Sequence, residues 1–184
     1  QFNYLRNNFV QADYVIIGPE IFRSSSTTLL DLRSPAIFAS IEQIYFEFSG
    51  GNSDPMGIRT FIQWTQENWQ NPVPLYVLLL GDSGYDYRNI TGQSSIIVPT
   101  IQVQSARNYA TDDRLATIYG NIPEVALGRF PARNENEVIN FIEKVISIET
   151  EPLLGQWRQR VTLVADDPVR PPLRAVDFHL AAAQ

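Results

Sequence analysis

The residues with the most chemistry in them are three groups of aspartates. Asp82 and Asp86 follow the apolar run Leu75-Tyr76-Val77-Leu78-Leu79-Leu80, Asp112 and Asp113 sit in a polar stretch of their own, and Asp166 and Asp167 follow a second β-rich run, Val161–Ala165. Carboxylates gathered in loops rich in carbonyls are the donor set of calcium, which takes about six to eight oxygens. The competing reading is that each aspartate caps a helix or holds a turn by accepting backbone N–H bonds. The residues alone leave both open, so calcium is a possible but not a required cofactor. A serine nucleophile would need Ser83 with His179 as its base, yet Gly81-Asp82-Ser83-Gly84 is one residue short of a Gly-x-Ser-x-Gly elbow. The same segment lacks the third glycine and the lysine of a phosphate-binding loop, which argues against nucleotide binding.

Composition removes other chemistries. The 184 residues hold no cysteine and one histidine, so disulfides, thiolate zinc sites and a cysteine nucleophile are excluded within them. A net charge of −6 is the wrong sign for a nucleic-acid partner. No apolar run reaches the roughly 18 residues that a membrane span needs. The chain opens at Gln1 with no signal peptide, which reads as a mature or excised segment, and the lack of cysteine suits an exported protein. Tyr85, Tyr87, Arg107, Asn108 and Tyr109 either line a cleft for a peptide or pack the long connection over 81–110.

The elements that must position these groups follow from periodicity. Six apolar residues in a row at 75–80, without polar alternation, predict a strand covered on both faces, the signature of a parallel sheet. Ala12–Gly18 and Ala36–Ser40 predict two more strands, and Val125–Ala132 another buried one. Ile41, Ile44, Tyr45 and Phe48 share one helical face. Asp54-Pro55 opens the next helix, with aspartate at N-cap and proline at N1, and Ile58, Phe61, Ile62, Thr65 and Trp69 lie on one side of it. Positions 138, 139, 141, 142, 145, 146 and 148 form a broad apolar stripe behind a cap at Asn134 or Asn136. Pro99 demotes 96–103 to an edge strand or an extended connector. Residues 20–34 offer about one turn of helix, and a further helix starts near Arg174. The sum is an α/β fold, an open and mostly parallel sheet flanked by helices, in one domain or subdomain.

Several of these segments, taken in order, resemble gingipain-type cysteine peptidases. They are Ile44-Tyr45-Phe46-Glu47-Phe48-Ser49-Gly50-Gly51, Asp54-Pro55 with Ile58-Arg59-Thr60-Phe61, and Tyr76–Asp82 through Asp86-Tyr87. Val98-Pro99-Thr100, Thr111-Asp112-Asp113, Gly128-Arg129-Phe130-Pro131-Ala132 and Trp157 through Asp167 continue the match over about 12–168. The resemblance implies the first half of a caspase-like domain whose catalytic cysteine and histidine lie downstream of Gln184, consistent with the absence of cysteine here. The remainder of the peptidase domain is then the first partner, protein or peptide substrates the second, and other subunits of a secretion complex a third. The Glu-Phe-Ser-Gly-Gly piece is most similar to the branch that cleaves or transpeptidates exported proteins at the bacterial cell surface in type IX secretion. By the same resemblance Asp177 falls near the carboxylate that receives a basic substrate side chain, and the acid assisting the histidine falls near Asp167 or Pro168. His179 is not at the catalytic histidine's place. The rival is a catalytically inactive copy serving as a structural or docking module.

Overall fold

The computed structural model describes residues 4–7, 10–92, 97–104 and 109–162, which fall into two compact units, 1–147 and 148–184. In chain order the elements are β1 (Tyr14–Gly18), α1 (Thr27–Leu32), β2 (Ala36–Ser40), α2 (Ile41–Phe48), α3 (Pro55–Asn68), β3 (Tyr76–Leu80), β4 (Ile101–Val103), β5 (Tyr109–Thr111), α4 (Asp113–Ala116), β6 (Ala126–Phe130) and α5 (Glu135–Thr150). Three short 3-10 turns accompany them, at Glu20–Phe22, Ser24–Ser26 and Gln156–Gln159. The last of these belongs to the second unit, as does the expected strand at 161–165, which lies largely outside the described residues together with the helix expected from Arg174.

The first unit is built on a parallel sheet in the order β2-β1-β3-β6, with a separate antiparallel ribbon of β4 and β5. Alternation along the strands sorts side chains onto two faces. Val15, Ile17, Val77 and Leu79 pack with Ile44, Ile58, Phe61, Ile62 and Leu115, which brings α2, α3 and α4 onto one side. Ile16, Leu78 and Leu80 pack with Leu29, Val138 and Ile142, which brings α1 and α5 onto the other. Covering both faces is what permits the unbroken apolar run of β3, where Val77 through Leu80 are buried. Each fully buried aliphatic there contributes about 1.5–3 kcal/mol.

Local chemistry sets the helix starts. Ser40 accepts a bond from the Gln43 amide at the start of α2, and Asp54 accepts one from Met56 at the start of α3, with Pro55 at N1. At α5 the amide of Glu137 donates to Asn134 Oδ1 at 3.0 Å while the Glu137 carboxylate accepts from the Arg133 amide and Asn134 Nδ2. That arrangement is a variant of the capping box, with the carboxylate reaching the amide before the cap, and it selects Asn134 over Asn136. One expectation changes: β6 is half-exposed rather than buried, because among the described strands it lies at one of the sheet's two edges.

Candidate functional site

All four parallel strands end at one side of the sheet, so Gly18, Ser40, Gly81-Asp82 and Ala132-Arg133 border a common edge. In open α/β sheets ligands enter where the strand order reverses, here between β1 and β3. That crevice is filled by the chain itself. A Cβ on Gly18 would lie 2.8 Å from the Leu80 carbonyl oxygen, and Gly81 is covered by the side chains of Ile97 and Val98. The cover is held by amides: Ile97 and Val98 both donate to the Asp82 carbonyl at 3.0 Å, Gly81 donates to Phe130 O, and Asp82 to Ala132 O. The loop after β3 is therefore folded back as a lid on its own strand end. Among the described residues it leaves no phosphate cradle there.

The acids sort differently from an oxygen cage. Asp82 accepts from the Ser83 amide and, at 2.8 Å, from Arg133 Nε. Asp86 accepts from the Thr91 amide and hydroxyl and from the Ile90 amide, and these bonds, the Thr91 amide first, hold its carboxyl below the ordinary value. Asp112 pairs with Arg129, Nε to Oδ2 at 2.7 Å and Nη2 to Oδ1 at 2.8 Å. Burial pushes the Asp112 carboxyl up, but the bonds and charge of Arg129 with a bond to Thr100 outweigh it, so the net direction is down. Asp113 opens α4, its amide bonded to Thr111 Oγ1 and its carbonyl accepting from Thr117. Among the described residues no three His, Cys, Asp or Glu side chains are placed to hold a metal ion. Asp82, Asp86 and Asp112 each accept bonds from protein donors, the pattern that the turn-and-pairing alternative describes. Asp166, Asp167, Asp177 and His179 lie outside the described residues, as do Arg107 and Asn108; Tyr85 is exposed.

Sequence reasoning missed the residue that organises the site. Arg129 sits on β6, and besides Asp112 its guanidinium donates to the carbonyls of Gly81 and Val98 at 2.8 Å each, and to Pro99 at 3.4 Å. It ties the end of β3, the returning loop and the segment before α4 to the edge strand. The available signal was an arginine within a short strand of otherwise apolar and small residues, since a half-buried guanidinium requires partners. Two cavities open elsewhere. One, of about 1000 Å³, lies beside β2 and α2 and includes Glu20, Arg23, Phe38 and Phe46. There Arg23 is gripped by the Glu20 carboxylate, lies over the Phe38 ring and donates to the Phe38 carbonyl at 3.0 Å, blunting the open edge of β2. The other, of about 430 Å³, lies beside β4.

A parallel sheet wrapped by helices, with its strand-end loops pinned by ion pairs, defines an open α/β scaffold, and comparison gives its family. The family model of Peptidase family C25, the gingipain family of cysteine peptidases, matches residues 7–182, and the chain belongs to that family. Among solved structures it is similar to dimeric latent PorU from Porphyromonas gingivalis, with a TM-score of 0.67 and 24% identity over 84% of this chain and 17% of that one. A second structure, of a protease, is similar with a TM-score of 0.55 and 17% identity over 79% of this chain and 29% of that one. At these identities the likeness is one of fold. The chain spans well under a third of either protein's length. Comparison with curated proteins gave no match.

Proposed function

We infer that this chain is the non-catalytic half of a gingipain-like cysteine endopeptidase or sortase acting on exported proteins at a bacterial cell surface, as in PorU-type secretion. The observation that carries the reading is a family match across residues 7–182 in a sequence without a single cysteine. A thiolate outside these residues attacks the peptide carbonyl, a histidine moves the proton, and backbone amides hold the oxyanion. The half described here supplies a stiff strand-end platform, with Arg129 and Arg133 fixing its loops. Asp177 is proposed as the carboxylate that receives a basic substrate side chain, a charge-assisted and bidentate contact. The full-length protein tests this: alkylating its thiols abolishes processing of exported cargo, and Asp177→Ala removes a preference for basic substrate residues. Processing untouched by alkylation refutes the peptidase reading.

The same missing cysteine supports a second reading, a catalytically inactive family member that docks other secretion subunits. It predicts a full-length protein that binds such subunits, processes no cargo, and has no Gly-His strand end or cysteine-ended strand after Gln184.

A further inference from the structure

The β4–β5 ribbon is the least completed part of the fold. Two strands alone are marginal in water and gain persistence from a third strand or a packed helix. Among the described residues β4 pairs only with β5, through Ile101↔Thr111, Gln102↔Ala110 and Val103↔Tyr109. Beside it lies the cavity of about 430 Å³, whose wall includes Ile101, Gln102, Val103 and Gln104. Successive side chains of a strand point to opposite faces. Four consecutive residues therefore line one cavity when it runs along the strand's backbone edge. No β5 residue is among the described lining residues, which puts the cavity on the side of β4 away from β5.

The rest of the described wall carries two cations, Arg59 from α3 and Arg114 from α4, beside Met56, Thr117 and Gly120, and no acidic side chain is among the described lining residues. Arg59 is fixed by donating to the carbonyls of Thr117 and Ile118, each at 3.0 Å. Arg114 is exposed and enters no ion pair among the described residues. Glu124 lies near enough to feel Arg59, but its carboxylate is engaged by the amides of Ile118 and Tyr119. A positive wall beside an open strand edge, on a chain of net charge −6, is complementary to one kind of occupant.

We propose that the outer edge of β4 is a docking edge for an extended acidic segment of a protein substrate, which adds as a third strand with its carboxylates facing Arg59 and Arg114. The identification of the occupant as substrate rests on the peptidase reading; the binding is a property of these residues and needs no catalysis. Main-chain bonds to β4 supply affinity, and the two guanidinium groups select for carboxylates.

The test uses the full-length protein and a fluorescent peptide of alternating glutamate and valine, about eight residues long to span a strand. Saturable binding by anisotropy is expected, with amide exchange slowed at 101–104. Arg114→Glu should weaken it about tenfold, the size of one reversed charge contact. Methylating alternate amides of the peptide should weaken it at least as much, and that arm stands even where the variant fails to fold. Equal binding of a lysine–valine peptide, indifference to both changes, or protection elsewhere overturns the proposal. Self-association of the chain that Arg114→Glu abolishes also overturns it, because the edge then belongs to a second copy. Peptidase activity of the full-length protein without peptide binding removes this inference alone, whereas binding without any thiol-dependent activity removes the peptidase reading and leaves the docking edge.

Discussion

Arg129→Ala is the perturbation with the largest consequence for the site. The arginine side chain is 12% exposed and its Asp112 partner 24%, so the pair is mostly shielded. Removing one partner of a buried pair costs about 3–5 kcal/mol, chiefly because a charge is left uncompensated. Partial exposure of Asp112 lets water return and argues for the lower end. The carbonyls of Gly81 and Val98 lose their donor as well, at about 1 kcal/mol each. Together a loss of about 5 kcal/mol is expected, or about 10–20 °C in Tm for a chain of this length. Arg129→Lys should recover only part of it, because one ammonium cannot reproduce a planar fork. The acid side supplies a second readout. A carboxyl held below its unfolded value of about 3.9 contributes stability that is present above that pH and lost as pH falls through the depressed value. The gap between wild type and Arg129→Ala should therefore narrow in acid, measured by urea denaturation from pH 7 to pH 3. A loss under about 1 kcal/mol at neutral pH, or a gap that does not change with pH, would refute the reasoning.

Three further outcomes follow from the packing and the bonds. Gly18→Ala drives a Cβ to 2.8 Å from the Leu80 carbonyl, where backbone rather than a movable side chain must give, and should cost about 1–3 kcal/mol by denaturant titration. Asp54→Ala removes the acceptor for the Met56 amide at the start of α3 and should cost about 1 kcal/mol, with Asp54→Ser recovering most of it. Chelating divalent cations should leave Tm unchanged, since Asp82, Asp86 and Asp112 are held by protein donors; a fall in Tm would direct the search for ligands to Asp166 and Asp167.

Much of the scaffold was legible because its signals are local and long. Ala36–Ser40 and Ile41–Phe48 fall where their patterns placed them, and Asp54-Pro55 starts α3 as its capping chemistry requires. The ribbon was less legible. Three residues per strand carry no periodicity, so Tyr109–Thr111 read as the approach to a polar break, while Pro99 signalled only that 96–103 is not a central strand. Between β1 and β2 two 3-10 turns precede α1, which begins at Thr27, inside the 20–34 stretch where about one turn of helix was expected; serines and threonines favour caps and turns over helix interiors. The aspartates were found, but their ion-pair partners were not, because Arg129 lies 17 residues from Asp112 and Arg133 lies 51 from Asp82, and each pair meets only in the folded chain.

The central claim is that this fold is half of a thiol peptidase whose nucleophile lies outside these residues. The most direct measurement labels the full-length protein with a peptidyl probe that alkylates active-site cysteines, then maps the modified residue by mass spectrometry. The account predicts one labelled cysteine beyond the segment described here, with labelling and cargo processing lost together when that residue is changed to alanine. Processing that continues without a labelled thiol would contradict it.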